Sequence, residues 1–315
     1  MSKFKSPGEL QSATTIKLLI YGSPGIGKST LALSAPQPVL FDFDGGINRV
    51  NGAFQCPTLP VTSWEEVIEA LDELMKGEVS CSTIVIDTAG KMLDYMSDYI
   101  MRKDSRMRMR DGSLALKGYG ARKVMFANFL KDVTMMGKNV VFVAHEKEDK
   151  DGETRIVRPE MSGSSLGDLL KELDLVGYMS AIGTDRTIGW NPTEKYYAKN
   201  TCNLPPIHKV VEIIDKQGNI TGENNFLTLV FGNYNQYLAN LKQLRVKYER
   251  LVNSFVKGID AVTDEVSAND VYSKIETFGG HIWNSKLLSE QKLNEKCAAI
   301  GLKYNAIDDK YEPAA

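Results

Sequence analysis

The feature that most constrains this chain is a glycine-rich turn near its N-terminus. Residues 22–29 read Gly-Ser-Pro-Gly-Ile-Gly-Lys-Ser and match the pattern G-x-x-x-x-G-K-[ST] at every defined position. The apolar residues 16–21 before the turn predict a buried strand, and residues 28–35 after it predict a helix. A strand, a glycine-rich turn and a helix in this order are the context in which the pattern binds phosphate.

The chemistry of the turn predicts which residues hold a nucleotide. Glycines let the chain wrap so closely that successive backbone N–H groups point at phosphate oxygens, and the helix N-terminus adds partial positive charge. We predict that Lys28 reaches the β- and γ-phosphates and that the Ser29 hydroxyl binds Mg²⁺. The predicted nucleotide-binding set is Gly22, Ser23, Pro24, Gly25, Ile26, Gly27, Lys28, Ser29 and Thr30.

Strands alternate with helices over the first half of the chain. Residues 39–42, 83–87 and 140–144 predict a second, third and fourth strand, and residues 64–76 predict an amphipathic helix. This alternation predicts a parallel sheet that is covered on both faces. After Gly152 the apolar segments become shorter, which predicts antiparallel strands that extend the sheet: residues 154–157, 175–182, 187–190, 195–198 and 210–214, with a hairpin loop at 217–219.

Three strand ends carry polar side chains suited to nucleotide hydrolysis. Asp87 ends the third strand and is expected to hold Mg²⁺ beside Ser29. Asp42 and Asp44 follow the second strand, and one of them would orient and deprotonate the attacking water, the alternative being a solvated acidic turn. His145 ends the fourth strand, where it would contact the γ-phosphate or, as the alternative, act only as a capping histidine.

Composition excludes several other classes of protein. The 315 residues carry 38 basic and 40 acidic side chains, and the four cysteines and three histidines are scattered, so a zinc site or a disulfide framework has no support. No apolar run approaches the roughly 18 residues that span a bilayer, and residues 1–10 lack a signal-peptide core, so we expect a cytoplasmic protein without membrane contact. No Asn-Lys-x-Asp motif occurs, which favours ATP over GTP.

The last part of the chain has a different pattern. From Tyr234 to Phe255, apolar residues recur at steps of three and four, which predicts a long helix. This apolar stripe fits a helix packed on its own domain or an interface with a subunit or partner, and the pattern alone does not distinguish them. We therefore predict a core at residues 1–232 and a C-terminal helical region at residues 233–315.

The order of these motifs resembles a known family. Residues 41–46 (Phe-Asp-Phe-Asp-Gly-Gly), 84–88 (Ile-Val-Ile-Asp-Thr) and 141–147 (Val-Phe-Val-Ala-His-Glu-Lys), together with the turn at 22–29, resemble the phage RecA-like nucleotide-binding proteins. These are single-strand annealing and recombination ATPases, and the resemblance covers roughly residues 14–230. It implies a RecA-like α/β fold with a mainly parallel central sheet flanked by helices, an antiparallel extension and a C-terminal helical appendage.

The resemblance also implies roles for individual residues. Asp44 lies where such enzymes place a catalytic carboxylate, usually glutamate, and the shorter side chain implies slow hydrolysis. His145 matches the γ-phosphate sensor position. Lys199 lies in a segment from which relatives project a positive charge into a neighbouring subunit's nucleotide, although Thr201 stands where they often carry arginine. The implied catalytic set is therefore Lys28, Asp44, Asp87, His145 and Lys199, with Ser29 and Asp87 at the metal, in a ring or filament of identical subunits.

One segment concentrates positive charge. Residues 101–123 contain eight basic and two acidic side chains, a net charge of +6 that leaves −8 for the rest of the chain. Such asymmetry is typical of a phosphate-binding face, although a solvated basic loop is the alternative. Residues 145–160 carry four basic and six acidic residues, which argues against them as the main DNA site. The predicted single-stranded DNA contacts are Arg102, Lys103, Arg106, Arg108, Arg110, Lys117 and, by stacking on a base, Tyr119.

Together these features predict an ATPase that uses ATP and Mg²⁺, binds single-stranded DNA and supports strand annealing or homologous recombination. Three alternatives stay open: an ATPase that loads or drives a replicative helicase, a small-molecule kinase, and a nucleotide switch that does not hydrolyse. The C-terminal region could bind a single-strand-binding protein or another replication partner. If a phage encodes the chain, its location would be the host cytoplasm.

Overall fold

The computed structural model describes residues 3–4, 15–151 and 154–314. Most of residues 1–10, which entered the signal-peptide prediction, lie outside these ranges. Residues 13–235 form one compact unit, and residues from 236 onward belong to a second. Helix α6 (Phe226–Asp260) runs through the predicted boundary between residues 232 and 233. In the described ranges, no helix is long and apolar enough to cross a membrane.

A large, mainly parallel sheet forms the centre of the first unit. Its strands run in the order β10-β8-β7-β1-β5-β4-β2-β3, with β6 paired to β5 and β9 paired to β7. The six strands from β7 to β3 in this order are parallel to one another. The strand bounds are β1 (Lys17–Gly22), β2 (Pro38–Asp42), β3 (Thr58–Pro60), β4 (Thr83–Asp87), β5 (Asn139–Asp151), β6 (Thr154–Pro159), β7 (Leu175–Ile182), β8 (Asp185–Gly189), β9 (Lys199–Asn200) and β10 (Ile207–Val210).

Helices flank this sheet, and local capping sets where they begin. The Ser63 side chain accepts a hydrogen bond from the backbone N–H of Glu66 at the start of α2, and Gly77 ends that helix in the left-handed conformation. Helix α2 buries Val67, Leu71 and Leu74 against the core, as its sequence periodicity predicts. The helix bounds are α1 (Lys28–Ala32), α2 (Trp64–Lys76), α3 (Ala89–Lys103), α4 (Leu116–Met135) and α5 (Ser165–Glu172).

The predicted fold class is confirmed, but several element assignments are corrected. The short edge strand β3 was not predicted, so the predicted third and fourth strands are β4 and β5. Residues 175–182 form β7, which is parallel to β1 rather than antiparallel, because the chain returns through α5 before entering it. The antiparallel extension begins one strand later, where β8 pairs with β7.

Other boundaries also differ from the sequence prediction. Helix α1 ends at Ala32 rather than near residue 35, because Ser34 turns the chain and its carbonyl accepts the N–H of Thr228. Strand β5 continues beyond residue 144, because it leaves β1 and then pairs with β6. Residues 195–198 make only an isolated bridge, and residues 211–214 lie beyond the end of β10. The predicted loop at 217–219 is closed by a bridge between Ile214 and Ile220.

Strand register brings the candidate site together. Parallel pairing places His145 of β5 opposite Gly22 of β1, and Asp42 of β2 opposite Asp87 of β4. Because β5 lies between β1 and β4, the glycine-rich turn and the two acidic strand ends share one edge of the sheet. Polar residues at the carboxyl ends of parallel strands are the usual location of a ligand site in such sheets.

The second unit has a core of its own. It contains the end of α6, helices α7 (Glu265–Thr277) and α8 (Ser285–Ala299), and an antiparallel hairpin of β11 (Leu302–Asn305) and β12 (Lys310–Pro313). Its buried residues include Ile259, Val262, Ile275, Leu293 and Tyr311. In the apolar stripe of α6, Leu241 and Leu244 are each 38% exposed. The structure therefore leaves both interpretations of the stripe open.

Candidate nucleotide-binding site

The glycine-rich turn has the backbone geometry that its sequence predicts. Gly25 and Gly27 have φ values of +79° and +97°, in the left-handed region that favours glycine. A Cβ atom on Gly22 would lie 2.2 Å from the carbonyl oxygen of Met179 on the neighbouring strand. The glycines are thus required by turn conformation at two positions and by close strand packing at the third.

Lys28 is buried at the mouth of this turn. Its Nζ donates hydrogen bonds to the carbonyl oxygens of Gly22 at 2.9 Å and Ser23 at 2.7 Å. Burial lowers the pKa of the Lys28 ammonium, and the nearby carboxylates of Asp87, Glu146 and Asp44 oppose that shift. The turn therefore holds a cation in place before any anionic ligand arrives.

Ser29 and Asp87 form the predicted metal pair. The Ser29 hydroxyl donates to Oδ2 of Asp87 at 2.5 Å, and Asp87 is buried. Burial raises the pKa of the Asp87 carboxyl, while the bond from Ser29 acts in the opposite direction. Hydroxyl and carboxylate oxygens are the hard ligands that Mg²⁺ takes in company with phosphates and water. In the described part of the chain, no group of three or more His, Cys, Asp or Glu side chains could hold a metal ion.

The two aspartates after β2 have different roles. Asp42 is buried, and its carboxylate accepts backbone N–H bonds from Gly46 at 2.9 Å and Ile47 at 3.0 Å, so it shapes the turn. Asp44 is partly exposed, and its Oδ2 lies 3.8 Å from Nε2 of His145 and 3.8 Å from a guanidinium nitrogen of Arg49. Of the two predicted bases, only Asp44 is available for chemistry.

His145 lies between two cavities. The first, of about 320 Å³, is also lined by Lys28, Ser29, Asp44 and Asp87. The second, of about 220 Å³, shares His145 and Thr88 with the first and extends toward α3. The Nδ1 atom of His145 is buried and has no hydrogen-bond partner among the described residues. One ring nitrogen of His145 therefore faces Asp44 and the other is unpaired in the described ranges, while its action as a γ-phosphate sensor stays a prediction.

A larger cavity of about 410 Å³ adjoins the glycine-rich turn and was not predicted. It shares Gly27 and Thr30 with the cavity of about 320 Å³. Its other lining residues come from the turn, α1, β7, β8, the end of β10 and the chain that follows into α6. Apolar walls with a few polar groups are typical of a small-molecule site, and this position and size suit a base and ribose. Its lining includes Ile26, Met179, Val211, Ile213, Asn224 and Phe226.

Sequence reasoning missed this cavity because no local motif marks it. Asn224 reaches the turn helix, where its Nδ2 donates to the carbonyl of Thr30 at 2.9 Å across a separation of 194 residues. The one available signal was the cluster of turn residues at 217–225, which indicates a loop but not a ligand. Arg49 beside Asp44 was missed for the same reason.

Lys199 lies away from the glycine-rich turn of its own chain, and its predicted action on a neighbouring subunit's nucleotide stays a prediction. It lies on β9, opposite Val176 near the start of β7, whereas the glycine-rich turn pairs with the other end of that strand. Its Nζ donates to the carbonyls of Leu170 at 3.2 Å and Leu173 at 2.5 Å. In this chain the lysine thus satisfies carbonyls at the end of α5.

Two of the predicted DNA-binding arginines are held by carboxylates. Arg102 pairs with Glu65 at 2.8 Å, and Arg106 pairs with both carboxylate oxygens of Asp104. The Lys103 ammonium lies 5.2 Å from the centroid of the Tyr99 ring. These pairs reduce the charge that the segment offers to a polyanion.

The remaining predicted DNA contacts are Arg108, Arg110, Lys117 and Tyr119. Arg108, Arg110 and Lys117 are exposed, and in the described ranges none of them pairs with a carboxylate. An isolated bridge between Arg108 and Leu114 closes a short loop that carries Arg110. Tyr119 is 46% exposed, and the guanidinium of the buried Arg122 lies 4.9 Å from its ring centroid. Arg108, Arg110 and Lys117 are therefore exposed cations without a carboxylate partner in the described ranges.

Comparison with known proteins agrees with this geometry. A family model described as "AAA domain" matches residues 14–202. The SPbeta prophage-derived uncharacterized protein YorG of Bacillus subtilis (strain 168) is 25% identical over 197 residues, which is 58% of this chain and 58% of that protein. The matched part thus spans a little over half the length of this relative.

Two solved structures are similar to part of the chain. The crystal structure of the RadB recombinase has 12% identity and a TM-score of 0.35, covering 55% of this chain and 79% of that one. The KaiC-like protein PH0186 from Pyrococcus horikoshii OT3 has 10% identity and a TM-score of 0.33, covering 55% and 77%. At these scores the structures differ too much for residues to be compared one by one.

Proposed function

Because the chain belongs to the AAA domain family of P-loop NTPases through residues 14–202, we propose that it binds and hydrolyses ATP with Mg²⁺. We further propose that it binds single-stranded DNA and supports strand annealing or homologous recombination as an oligomer in the cytoplasm. The observation that carries the nucleotide part is the buried Ser29–Asp87 pair beside Lys28, which faces Asp44 and His145 across one cavity.

The proposed hydrolysis assigns one role to each side chain. Lys28 binds the β- and γ-phosphates, while the Ser29 hydroxyl and the Asp87 carboxylate hold the metal. Magnesium bound there would neutralise charge that develops on the phosphates. Asp44 orients the attacking water and accepts its proton, and His145 contacts the γ-phosphate. Arg49 and His145 both lie 3.8 Å from the Asp44 carboxylate. Because the aspartate side chain is one methylene shorter than the glutamate usual in such enzymes, we expect slow turnover.

The DNA part of the proposal depends on the three exposed cations. Arg108, Arg110 and Lys117 are available for phosphate contacts, since Arg102 and Arg106 already have carboxylate partners. Tyr119 has one face near the Arg122 guanidinium, and its exposed surface offers a platform on which a base can stack. A short loop that carries Arg110, closed at Arg108 and followed by Lys117 on α4, suits the sequence-independent binding of a single strand.

The test is ATP turnover measured with and without single-stranded DNA. We expect turnover that requires Mg²⁺, rises on addition of DNA and is lost in a Lys28→Ala variant. DNA-independent turnover together with no DNA binding would favour the kinase alternative, for which the cavity of about 220 Å³ beside His145 would accept a second substrate. Unwinding that requires an added helicase would instead favour the helicase-associated alternative.

A matched control separates DNA binding from general charge effects. Replacing Lys131 and Lys195 with alanine removes exposed cations of the same unit that lie outside the basic segment. This double variant should bind DNA as the wild type does, whereas replacing Arg108, Arg110 and Lys117 should weaken binding. Equal losses in both variants would contradict the assignment of the DNA site to residues 101–123.

A further inference from the structure

Glu146 is a charged side chain at the glycine-rich turn that the proposed hydrolysis does not use. It follows His145 on β5, where the strand stops pairing with β1 and starts pairing with β6. Successive side chains of a strand point to opposite faces, so His145 and Glu146 reach different surroundings. While His145 faces Asp44, the Glu146 carboxylate accepts a hydrogen bond through Oε1 from the Ser23 hydroxyl. Glu146 therefore contacts the turn itself.

The charge of this carboxylate is only partly compensated. Its second oxygen, Oε2, is buried and has no hydrogen-bond partner among the described residues. The negative charge of Glu146 acts on Lys28, where it opposes the lowering of the lysine pKa by burial. On the other side, burial and the Glu146 charge together raise the pKa of Tyr178 to about 12. A partly buried anion is felt strongly by its neighbours, because little water screens it.

We propose that Glu146 sets the preference of the turn between nucleotide triphosphates and diphosphates, by repelling the additional charge of the γ-phosphate. The inference rests on the proposed nucleotide binding. Lys28 pairs with the β- and γ-phosphates in this type of turn, so an anion that acts on Lys28 also acts on a γ-phosphate beside it. A diphosphate carries one negative charge fewer and experiences less repulsion.

The competing interpretation is that Glu146 only anchors Ser23 by a hydrogen bond. Glu146→Gln distinguishes the two, because the glutamine amide keeps an acceptor oxygen of the same shape and removes the charge. Dissociation constants for ADP and for a slowly hydrolysed ATP analogue, both with Mg²⁺, would be measured by titration calorimetry. We expect the analogue to bind about tenfold more tightly and ADP about threefold more tightly than to the wild type.

Two further variants complete the experiment. Glu148→Gln removes the same charge from an exposed position of the same strand, where Glu148 lies 3.6 Å from Arg155, and should change either constant less than about twofold. Glu146→Asp retains the charge and should keep the wild-type ratio of the dissociation constants for ADP and the ATP analogue. This variant can be measured even if Glu146→Gln does not fold.

The outcomes separate this inference from the proposed function. A larger gain for the triphosphate analogue than for ADP in Glu146→Gln supports the inference. If the wild type binds both nucleotides, but Glu146→Gln gains affinity equally for both or for neither, the inference is overturned. The proposed function is unaffected by that result. A wild type that binds neither nucleotide would overturn both.

Discussion

The glycine-rich turn and the basic segment at residues 101–123 were predicted from equally visible sequence patterns. In the structure, they differ in whether the predicted side chains have other partners. In the turn, Lys28, Ser29 and Asp87 meet in one cavity, as the pattern predicts. In the basic segment, Arg102 and Arg106 are paired with carboxylates. The difference arises because a turn acts through consecutive backbone groups, whereas a charge cluster depends on which partners the fold brings near it.

The largest expected effect is at the turn. Lys28→Ala removes two charge-assisted contacts to phosphate, which are together worth about 3 kcal/mol, so ATP affinity should fall about 100-fold. DNA binding without nucleotide should be unchanged, because the basic segment has its own contacts. Lys199→Ala is the matched control, since it removes the other lysine in the predicted catalytic set; calorimetric titration of both variants checks the prediction. A comparable loss of ATP affinity in Lys199→Ala would indicate that Lys199 contributes to nucleotide binding.

The next effect distinguishes free from paired cations in the basic segment. Replacing Arg108, Arg110 and Lys117 with alanine should lower the salt slope of single-stranded DNA binding by about 2, because each phosphate contact contributes about 0.7. Replacing Arg102 and Arg106 should lower it by less than about 0.7, since their charges already face Glu65 and Asp104. Fluorescence anisotropy at several salt concentrations measures both slopes. Equal slopes for the two variants would show that the carboxylate pairs do not reduce DNA contact.

A smaller effect concerns the stability contributed by Lys199. Removing its ammonium leaves the carbonyls of Leu170 and Leu173 without this donor, which should lower the free energy of unfolding by about 1–3 kcal/mol. Urea denaturation followed by circular dichroism would measure the change. Lys195→Ala provides the control, because Lys195 is exposed nearby in sequence. Unaltered stability together with lost turnover would indicate a catalytic role for Lys199 instead.

The smallest effect is a difference in pH dependence between the two regions. Burial raises the pKa of Asp87, so the fraction of this carboxyl that is protonated, and unable to hold Mg²⁺, increases at a higher pH than for an ordinary aspartate. ATP affinity at limiting Mg²⁺ should therefore decline as the pH falls from neutral into the acidic range, and the decline should begin at a higher pH than an ordinary aspartate would give. DNA binding should stay constant over this range, because arginine and lysine remain charged. A decline in DNA affinity as steep as that of ATP would contradict this separation.

The glycine-rich turn was predictable because its chemistry is local. Residues 22–29 are consecutive, and glycine permits the φ values of Gly25 and Gly27 whatever the rest of the chain does. The alternation of strands and helices was likewise enough to predict the mainly parallel sheet, and the position of Asp87 at a strand end followed from it. His145 does not end its strand as predicted, because β5 continues to Asp151; only its pairing with β1 ends at His145. Prediction was poorer for β7, because a short apolar segment does not reveal the direction of its pairing.

The sequence by itself determined the glycine-rich turn, the class of sheet and the strand end that carries Asp87, since these depend on residues that are close in the chain. Only the tertiary structure decided which of Asp42 and Asp44 is available, where Lys199 is held, and that a cavity of about 410 Å³ lies beside the turn. These outcomes depend on contacts across long separations, such as the 37 residues between Arg102 and Glu65, and no local pattern specifies such partners.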